Sequence, residues 1–307
     1  MIILGILIIP IKAQIKENET YIDSVSEAIT GIMENLVKIQ DNYYAIISYG
    51  LAGNIGIFIG DEGVVLIDDQ YATLSKRIRE MLSTITQKPT VAIINTHYHY
   101  DHTLGNVAFG AEKIHIIAHE NARLRMSERQ VIPTWYNVVQ KPYPEEALPV
   151  LTFTEKATLY IRPEIIELSH YENAHSDGDI AVHFKNADVY HTGDLFINFK
   201  IPFITHIDEA AGADIYGMIG AIDQLLLQSG ETTKFIPGHG PVGSKKELQA
   251  FRDLLSTIRD NVEELFKKNK DLNEIIKDTK IKINNDSSEA DRFIEQVYRS
   301  VKKHVKQ

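Results

Sequence analysis

The sequence predicts an α/β protein built as a four-layer αββα sandwich, and three observations predict it. Short β-type apolar runs fill one stretch of chain, a second strand-rich stretch follows, and amphipathic helices are interspersed with both. Taking the elements in order, Ile22, Val25, Ile29, Ile32 and Leu36 recur at steps of three and four, which predicts a helix over 21–36. Runs at 43–48, 55–59 and 64–67, punctuated by Gly50, Gly53, Gly60 and the Asp61-Glu62-Gly63 turn, read as an antiparallel meander. A helix over 73–82 leads into strands at 91–94 and 114–117, then a short helix over 119–126. Residues 128–150 carry Pro133, Pro142, Pro144 and Pro149 around Trp135, Tyr136 and Tyr143, and read as a long surface loop. Strands resume over 151–169 and 180–191, and 196–213 is irregular. A helix over 214–228, a strand at 234–236 and a helix over 245–268 close the main unit. Leu248, Phe251, Leu255, Ile258, Val262 and Leu265 form the apolar face of that last helix. The tail from 270 onward is rich in Lys and Asp, with a helix predicted over 287–303. No internal repeat appears.

Composition narrows the function. With 44% hydrophobic and 24% charged residues, the 307-residue chain has the balance of a folded domain, which excludes disorder and a multi-span membrane protein. Acidic residues outnumber basic ones by 42 to 32, and a formal charge of −10 disfavours nucleic acid as a partner. The absence of cysteine excludes disulfides, thiol catalysis and thiolate metal sites, which turns attention to the twelve histidines. Residues 1–11 are almost wholly apolar, yet fall short of the about 20 needed to cross a bilayer, so stable membrane insertion is not expected. A secretory leader over 1–14 is expected, although its positively charged start is missing; the competing reading is a buried amino-terminal strand. Export implies a periplasmic or secreted protein. The expected organisation is a leader (1–14), a helical extension (15–37), the main domain (38–268) and a helical tail (269–307).

The densest chemistry lies directly after the strand at 91–94, in Asn95-Thr96-His97-Tyr98-His99-Tyr100-Asp101-His102. On an extended backbone, alternate side chains share a side, so His97 and His99 can grip one ion while Asp101 and His102 face a second position. Imidazole and carboxylate suit Zn²⁺. A histidine-rich surface loop would explain this segment alone, but three more follow: His175-Ser176-Asp177-Gly178-Asp179, His191-Thr192-Gly193-Asp194 and Pro237-Gly238-His239-Gly240. Each sets a ligand-type residue beside a glycine in a turn near a strand end.

His97-x-His99-x-Asp101-His102, followed in order by His175, Asp194 and His239, resembles the metallo-β-lactamase superfamily over about residues 38–265. The resemblance implies two zinc ions per chain. His97, His99 and His175 would hold the first, Asp101, His102 and His239 the second, and Asp194 would bridge them. It further implies a bridging hydroxide, since two Zn²⁺ ions sharing a water lower its pKa towards about 7. That hydroxide would attack a carbonyl carbon, with Asp101 orienting or relaying the proton. A lactam, amide, ester, lactone or thioester fits such a site. A β-lactam leads, because export places the enzyme where such antibiotics arrive.

The branches of the superfamily differ in ways this sequence can be measured against. One class of lactamases uses a cysteine on the second zinc, whereas the Asp-His-His class matches here. Ile197 stands where some lactamases carry a lysine and some lactonases a tyrosine, which leaves Lys200 as a candidate carboxylate clamp. The helical tail lacks the basic cluster expected of a glutathione thioesterase, and the inserted domain and basic surface of nucleases are missing. Trp135, Tyr136 and Phe203 are candidate walls for a moderately hydrophobic small-molecule substrate. His206 and Asp208 are candidate contacts, and His191 is a candidate support for Asp194. The alternatives are a lactonase or thioester hydrolase, an iron-dependent persulfide-type oxygenase on His97, His175 and Asp194, or a metal-binding protein without turnover.

Overall fold

Val64 and Leu66 point to one face of their strand and Val65 and Ile67 to the other, and all four are fully buried. A strand with no wet face must have a layer on each side. The computed structural model describes residues 20–21, 33–49, 52–132, 138–199 and 205–305. Strands β1 (Thr20–Tyr21), β2 (Met33–Gln40), β3 (Tyr43–Tyr49), β4 (Ile55–Ile59) and β5 (Val64–Ile67) precede helix α1 (Ser75–Ser83). Then come β6 (Thr90–Ile94), the short helices α2 (Tyr100–Thr103) and α3 (Asn106–Gly110), β7 (His115–His119) and α4 (Glu120–Ser127). Seven strands follow: β8 (Gln130–Ile132), β9 (Val138–Gln140), β10 (Leu151–Phe153), β11 (Lys156–Ile161), β12 (Glu164–His170), β13 (Ile180–Phe184) and β14 (Val189–His191). The chain closes with α5 (Ile215–Gln228), β15 (Lys234–Ile236), β16 (Gly243–Ser244), α6 (Lys245–Lys267), α7 (Leu272–Ile283) and α8 (Ser288–Val305).

One mixed sheet has the order β10-β7-β6-β5-β4-β3-β2, a second has β11-β12-β13-β14-β15-β16, and β1-β9-β8 form a small third sheet. Between the two large sheets pack Ala45, Phe58, Val65, Ile67 and Ile94 from one, and Ile166, Leu168, Val182, Phe184 and Ile236 from the other. Leu74, Ile78, Leu82 and Phe109 cover the outer face of the first sheet, over Ile57, Val64 and Leu66. Helices α5 to α8 cover the outer face of the second. Met218, Ile222, Phe251, Leu255, Ile275, Phe293 and Val297 close over Ala181, Tyr190 and Phe235. The result is the αββα order expected from the sequence. Burying a side chain such as Phe293 contributes about 1.5–3 kcal/mol, so the tail helices add substantially to this layer. Reciprocal capping boxes start α6 (Ser244 with Glu247) and α7 (Asp271 with Glu274), and Asn284 ends α7 in the left-handed region.

Four local expectations are corrected. The helix predicted over 21–36 is not present at 33–36, where β2 pairs antiparallel with β3 around the Asp41-Asn42 turn. Leu36 joins the outer cluster while Val37 and Ile39 pack on the inter-sheet core, so pairing with β3 overrides the helical spacing. Residues 22–32 and the expected leader lie outside the described residues. The stretch at 151–169 is three strands, and β10 pairs parallel with β7 in the first sheet. Residues 128–150, expected as a loop, contain β8 and β9, which pair with each other. The tail holds two helices where one was expected. Among the described residues, no helix is long and apolar enough to cross a membrane.

Candidate metal centre

The strands β6, β12, β14 and β15 end at one edge of the sandwich, and the turns that follow them carry all seven expected ligands. His97 and His99 lie in the turn after β6, and Asp101 and His102 on α2. His175 follows β12, Asp194 follows β14 and His239 follows β15. Their donor atoms gather into three overlapping groups, namely His97–His99–His175, His97–His102–Asp194 and Asp101–His102–His239, the atoms of each within 4.8 Å of one another.

Each turn is tied down by groups beyond the seven. Asn54 donates to the carbonyls of Pro237 and Gly240 at 2.8 Å, which holds the His239 turn against the first sheet. Asp179 accepts from the backbone N–H groups of His175 and Ser176, both at 2.6 Å, and from Ser176 Oγ. Burial pushes the Asp179 carboxyl up to about 7 although Ser176 and His175 donate to it. Two glycines leave space for ligands. A Cβ on Gly53 would sit 2.3 Å from His102 Cε1, and one on Gly238 would sit 1.9 Å from Asp194 Oδ1.

For His97, His99, His102 and His175, the far nitrogen settles which nitrogen faces inward. Asp68 Oδ2 accepts from His102 Nδ1 at 2.8 Å, Asp208 Oδ2 from His99 Nε2 at 3.0 Å, and the His206 carbonyl from His175 Nδ1 at 3.0 Å. Thr96 Oγ1 donates to Asp68, so its lone pair is left to accept from His97 Nδ1 at 3.0 Å. The inward atoms of His97, His99 and His175 are therefore lone pairs, while His102 Nε2 and His239 Nε2 face Asp194 and Asp101 at 3.2 Å. His99 Nδ1 and His175 Nε2 stand 3.1 Å apart, and His102 Nε2 and His239 Nε2 3.3 Å apart. His97 Nε2 and Asp194 Oδ1 are buried without a hydrogen-bond partner. Facing lone pairs and orphaned buried acceptors are costly unless they share a cation. The donor set, all imidazole nitrogen and carboxylate oxygen, fits a pair of divalent metal ions.

Electrostatics agree with that fit. Burial holds His97 and His175 well below the usual histidine range, which keeps them neutral. Burial also acts to lower His102, but Asp101, Asp194 and Asp68 together raise it. Burial alone would raise Asp194, and the neighbouring His239, His102 and His175 instead hold it well below the carboxylate range. Asp101 is likewise lowered, against burial, by His102 and His239.

The remaining expected residues divide. His206 stacks on His99 with ring centroids 5.2 Å apart and meets His175 edge-on at 4.5 Å; its Nε2 is buried without a partner. Asp208 is not a substrate contact. It is fully buried behind His99 and also accepts from Tyr98 Oη. His191 Nδ1 accepts from the Gly193 N–H at 3.2 Å, so it bonds to the turn directly before Asp194. Trp135, Tyr136, Lys200 and Phe203 lie outside the described residues. Sequence reasoning did not single out Asp68 or Asn54, and gave Thr96 and Asp179 no role beyond their place in the ligand segments. A signal existed for Asp68, because Asp68-Asp69-Gln70 directly follows the apolar strand β5.

Residues 48–257 match the family described as the Metallo-beta-lactamase superfamily. The chain belongs to that superfamily. Among solved structures of similar fold is a metallo-beta-lactamase from Pontibacter korlensis, at 19% identity and TM-score 0.61, covering 73% of this chain and 99% of that one. The DIM-1 metallo-beta-lactamase aligns at 16% identity and TM-score 0.59, covering 74% and 99%. A stereoselective inverting sec-alkylsulfatase from a Pseudomonas species aligns at 18% identity and TM-score 0.62. That alignment covers 89% of this chain and half of the sulfatase. These likenesses carry the fold, two mixed sheets flanked by helices. With the ligand clusters, superfamily membership makes the chain a metal-dependent hydrolase of this fold.

Proposed function

We propose that this superfamily member is a dinuclear zinc hydrolase that opens a small, strained or activated cyclic amide or ester, with a β-lactam as the leading substrate. The observation that supports the reading is that Asp101, His102 and His239 bring their donor atoms together as a second group beside the first, with the Asp68 carboxylate behind His102. A mononuclear iron oxygenase would need only two histidines and one carboxylate.

His97 Nε2, His99 Nδ1 and His175 Nε2 would hold one ion, Asp101, His102 Nε2 and His239 Nε2 the other, and Asp194 would touch both. When bound, such a pair supplies Lewis acidity that activates water near neutral pH and polarises a carbonyl. Asp101 is assigned the proton relay. Its carboxylate is the most exposed of the seven ligands, at 15%, and its Oδ2 lies 3.2 Å from His239 Nε2. Asp101 and Asp194 are both held ionised, and the outward protons of His97, His99, His175 and His102 are committed to fixed acceptors. The described ligands therefore offer no strong acid to a leaving group, which favours a substrate whose ring strain supplies the driving force.

Trp135, Tyr136 and Phe203 are proposed as an apolar wall, Lys200 as a carboxylate clamp and His206 as a further contact. Export to the periplasm or medium, on the apolar residues 1–14, is part of the same proposal, and amino-terminal sequencing of the mature protein tests it. Metal analysis of the purified protein, followed by a panel of chromogenic cephalosporin, lactones and thioesters, tests the chemistry. Zinc at one to two per chain with lactam turnover is the expected outcome. Turnover confined to a thioester or phosphodiester would overturn the substrate assignment, and iron with oxygen consumption would overturn the hydrolase.

A further inference from the structure

We infer that Gln296, on the carboxyl-terminal helix α8, is a positioning residue for the His97–His99–His175 cluster, which makes the tail helix part of the metal centre's framework. Its side-chain amide pairs with both backbone groups of Ile207. Oε1 accepts from the Ile207 N–H at 3.1 Å, and Nε2 donates to the Ile207 carbonyl at 3.1 Å. Gln296 is 6% exposed and Ile207 fully buried, so water cannot replace either bond.

The two peptide planes fixed in this way are the ones that hold His175. In the plane joining His206 to Ile207, the N–H points to Gln296 and the carbonyl accepts from His175 Nδ1. A planar trans peptide carries its N–H and C=O on opposite sides, so fixing one aims the other. In the next plane, the Ile207 carbonyl meets Gln296 and the Asp208 N–H donates to the His175 carbonyl at 3.1 Å. Asp208 then holds His99 through Nε2. Gln296 thus stands two bonds away from both His175 and His99, without touching a ligand.

The rest of that helix face grips the same segment. Arg299 pairs with Glu209 at 2.7 Å, Ser300 Oγ accepts from the Ile215 N–H at 3.4 Å, and His304 meets Asp214 at 3.0 Å. Residues 296, 299, 300 and 304 share one face by their spacing of three and four. Of these, Gln296 alone reaches the peptides that carry the His206 carbonyl and Asp208.

The inference rests on the metal-centre reading and is independent of the substrate. Zinc affinity is measured by competition with a chromogenic chelator in two backgrounds: His239→Ala, which leaves the first cluster, and His99→Ala, which leaves the second. Gln296→Leu should weaken zinc about 10- to 100-fold in the first background and leave the second within about twofold. Gln296→Glu keeps the acceptor for the Ile207 N–H but loses the donor, so it should fall between. Val301→Ala, buried on the same helix, should lower the melting temperature without changing either affinity. First-cluster affinity unchanged in Gln296→Leu, or both clusters weakened equally, overturns the inference. Should the leucine variant not fold, Gln296→Glu decides by the same criterion. A His239→Ala parent that binds no zinc overturns the metal-centre reading itself.

Discussion

Replacing Asp68 by Asn should disable both clusters without unfolding the chain. Asp68 is fully buried and accepts three hydrogen bonds: the Thr96 N–H at 2.7 Å on Oδ1, and Thr96 Oγ1 and His102 Nδ1, both at 2.8 Å, on Oδ2. An asparagine that keeps its oxygen towards the Thr96 N–H turns its amino group towards the other two donors. His102 must then carry its proton on Nε2. Thr96 Oγ1 must accept from the amide and donate to His97 Nδ1, which drives the His97 proton to Nε2 as well. Both inward lone pairs are lost. The flipped amide restores them but leaves the Thr96 N–H facing a donor, at a cost of about 1–3 kcal/mol for an unsatisfied buried group. Metal binding must overcome that cost, so affinity for added Zn²⁺ should fall by about 10- to 100-fold. Chelator competition measures the fall, and circular dichroism checks the fold. Two zinc ions bound with wild-type affinity in Asp68→Asn would refute the tautomer argument.

Further outcomes follow from the same geometry. Gly53→Ala should displace the His102 ring, weakening metal binding and lowering the melting temperature, because its Cβ would stand 2.3 Å from His102 Cε1. Gly220→Ala, in helix α5 with nothing within 4 Å, should instead stabilise by about 1 kcal/mol. His191 is held at about 4 by burial, against an ordinary value of 6.5, so the unfolded chain takes up its proton first as pH falls. The stability this histidine supports is complete above about pH 7 and lost as pH falls from 6.5 to 4, up to about 3 kcal/mol. His191→Asn keeps an acceptor for the Gly193 N–H and should lose less stability across that window in denaturant titrations; an unchanged acid profile would count against the assignment. Chelation, or replacement of His97 or Asp101 by Ala, should abolish activity while far-ultraviolet circular dichroism is retained, since the core between the sheets contains none of the ligands.

The sequence by itself singled out the seven candidate ligand residues, their order and the strand-end turns that carry them. These are matters of residue type and local pattern: histidine and aspartate declare their chemistry, and a run such as β5 declares a buried strand whatever its partners. Only the tertiary structure decided what depends on distant pairing. Leu36 fits a helical stripe by its spacing, yet it lies in a strand because β3 offers seven residues to pair with β2. The acceptors that fix the histidine tautomers come from equally far away. Asp68 lies 34 residues before His102, and Asp208 lies 109 after His99. Gln296 reaches back 89 residues to Ile207. Nothing in the periodicity of either segment specifies such a contact. A buried polar group must find its partner wherever packing brings one, so the second ring of the metal centre exists only once the sheets and the tail helices have closed.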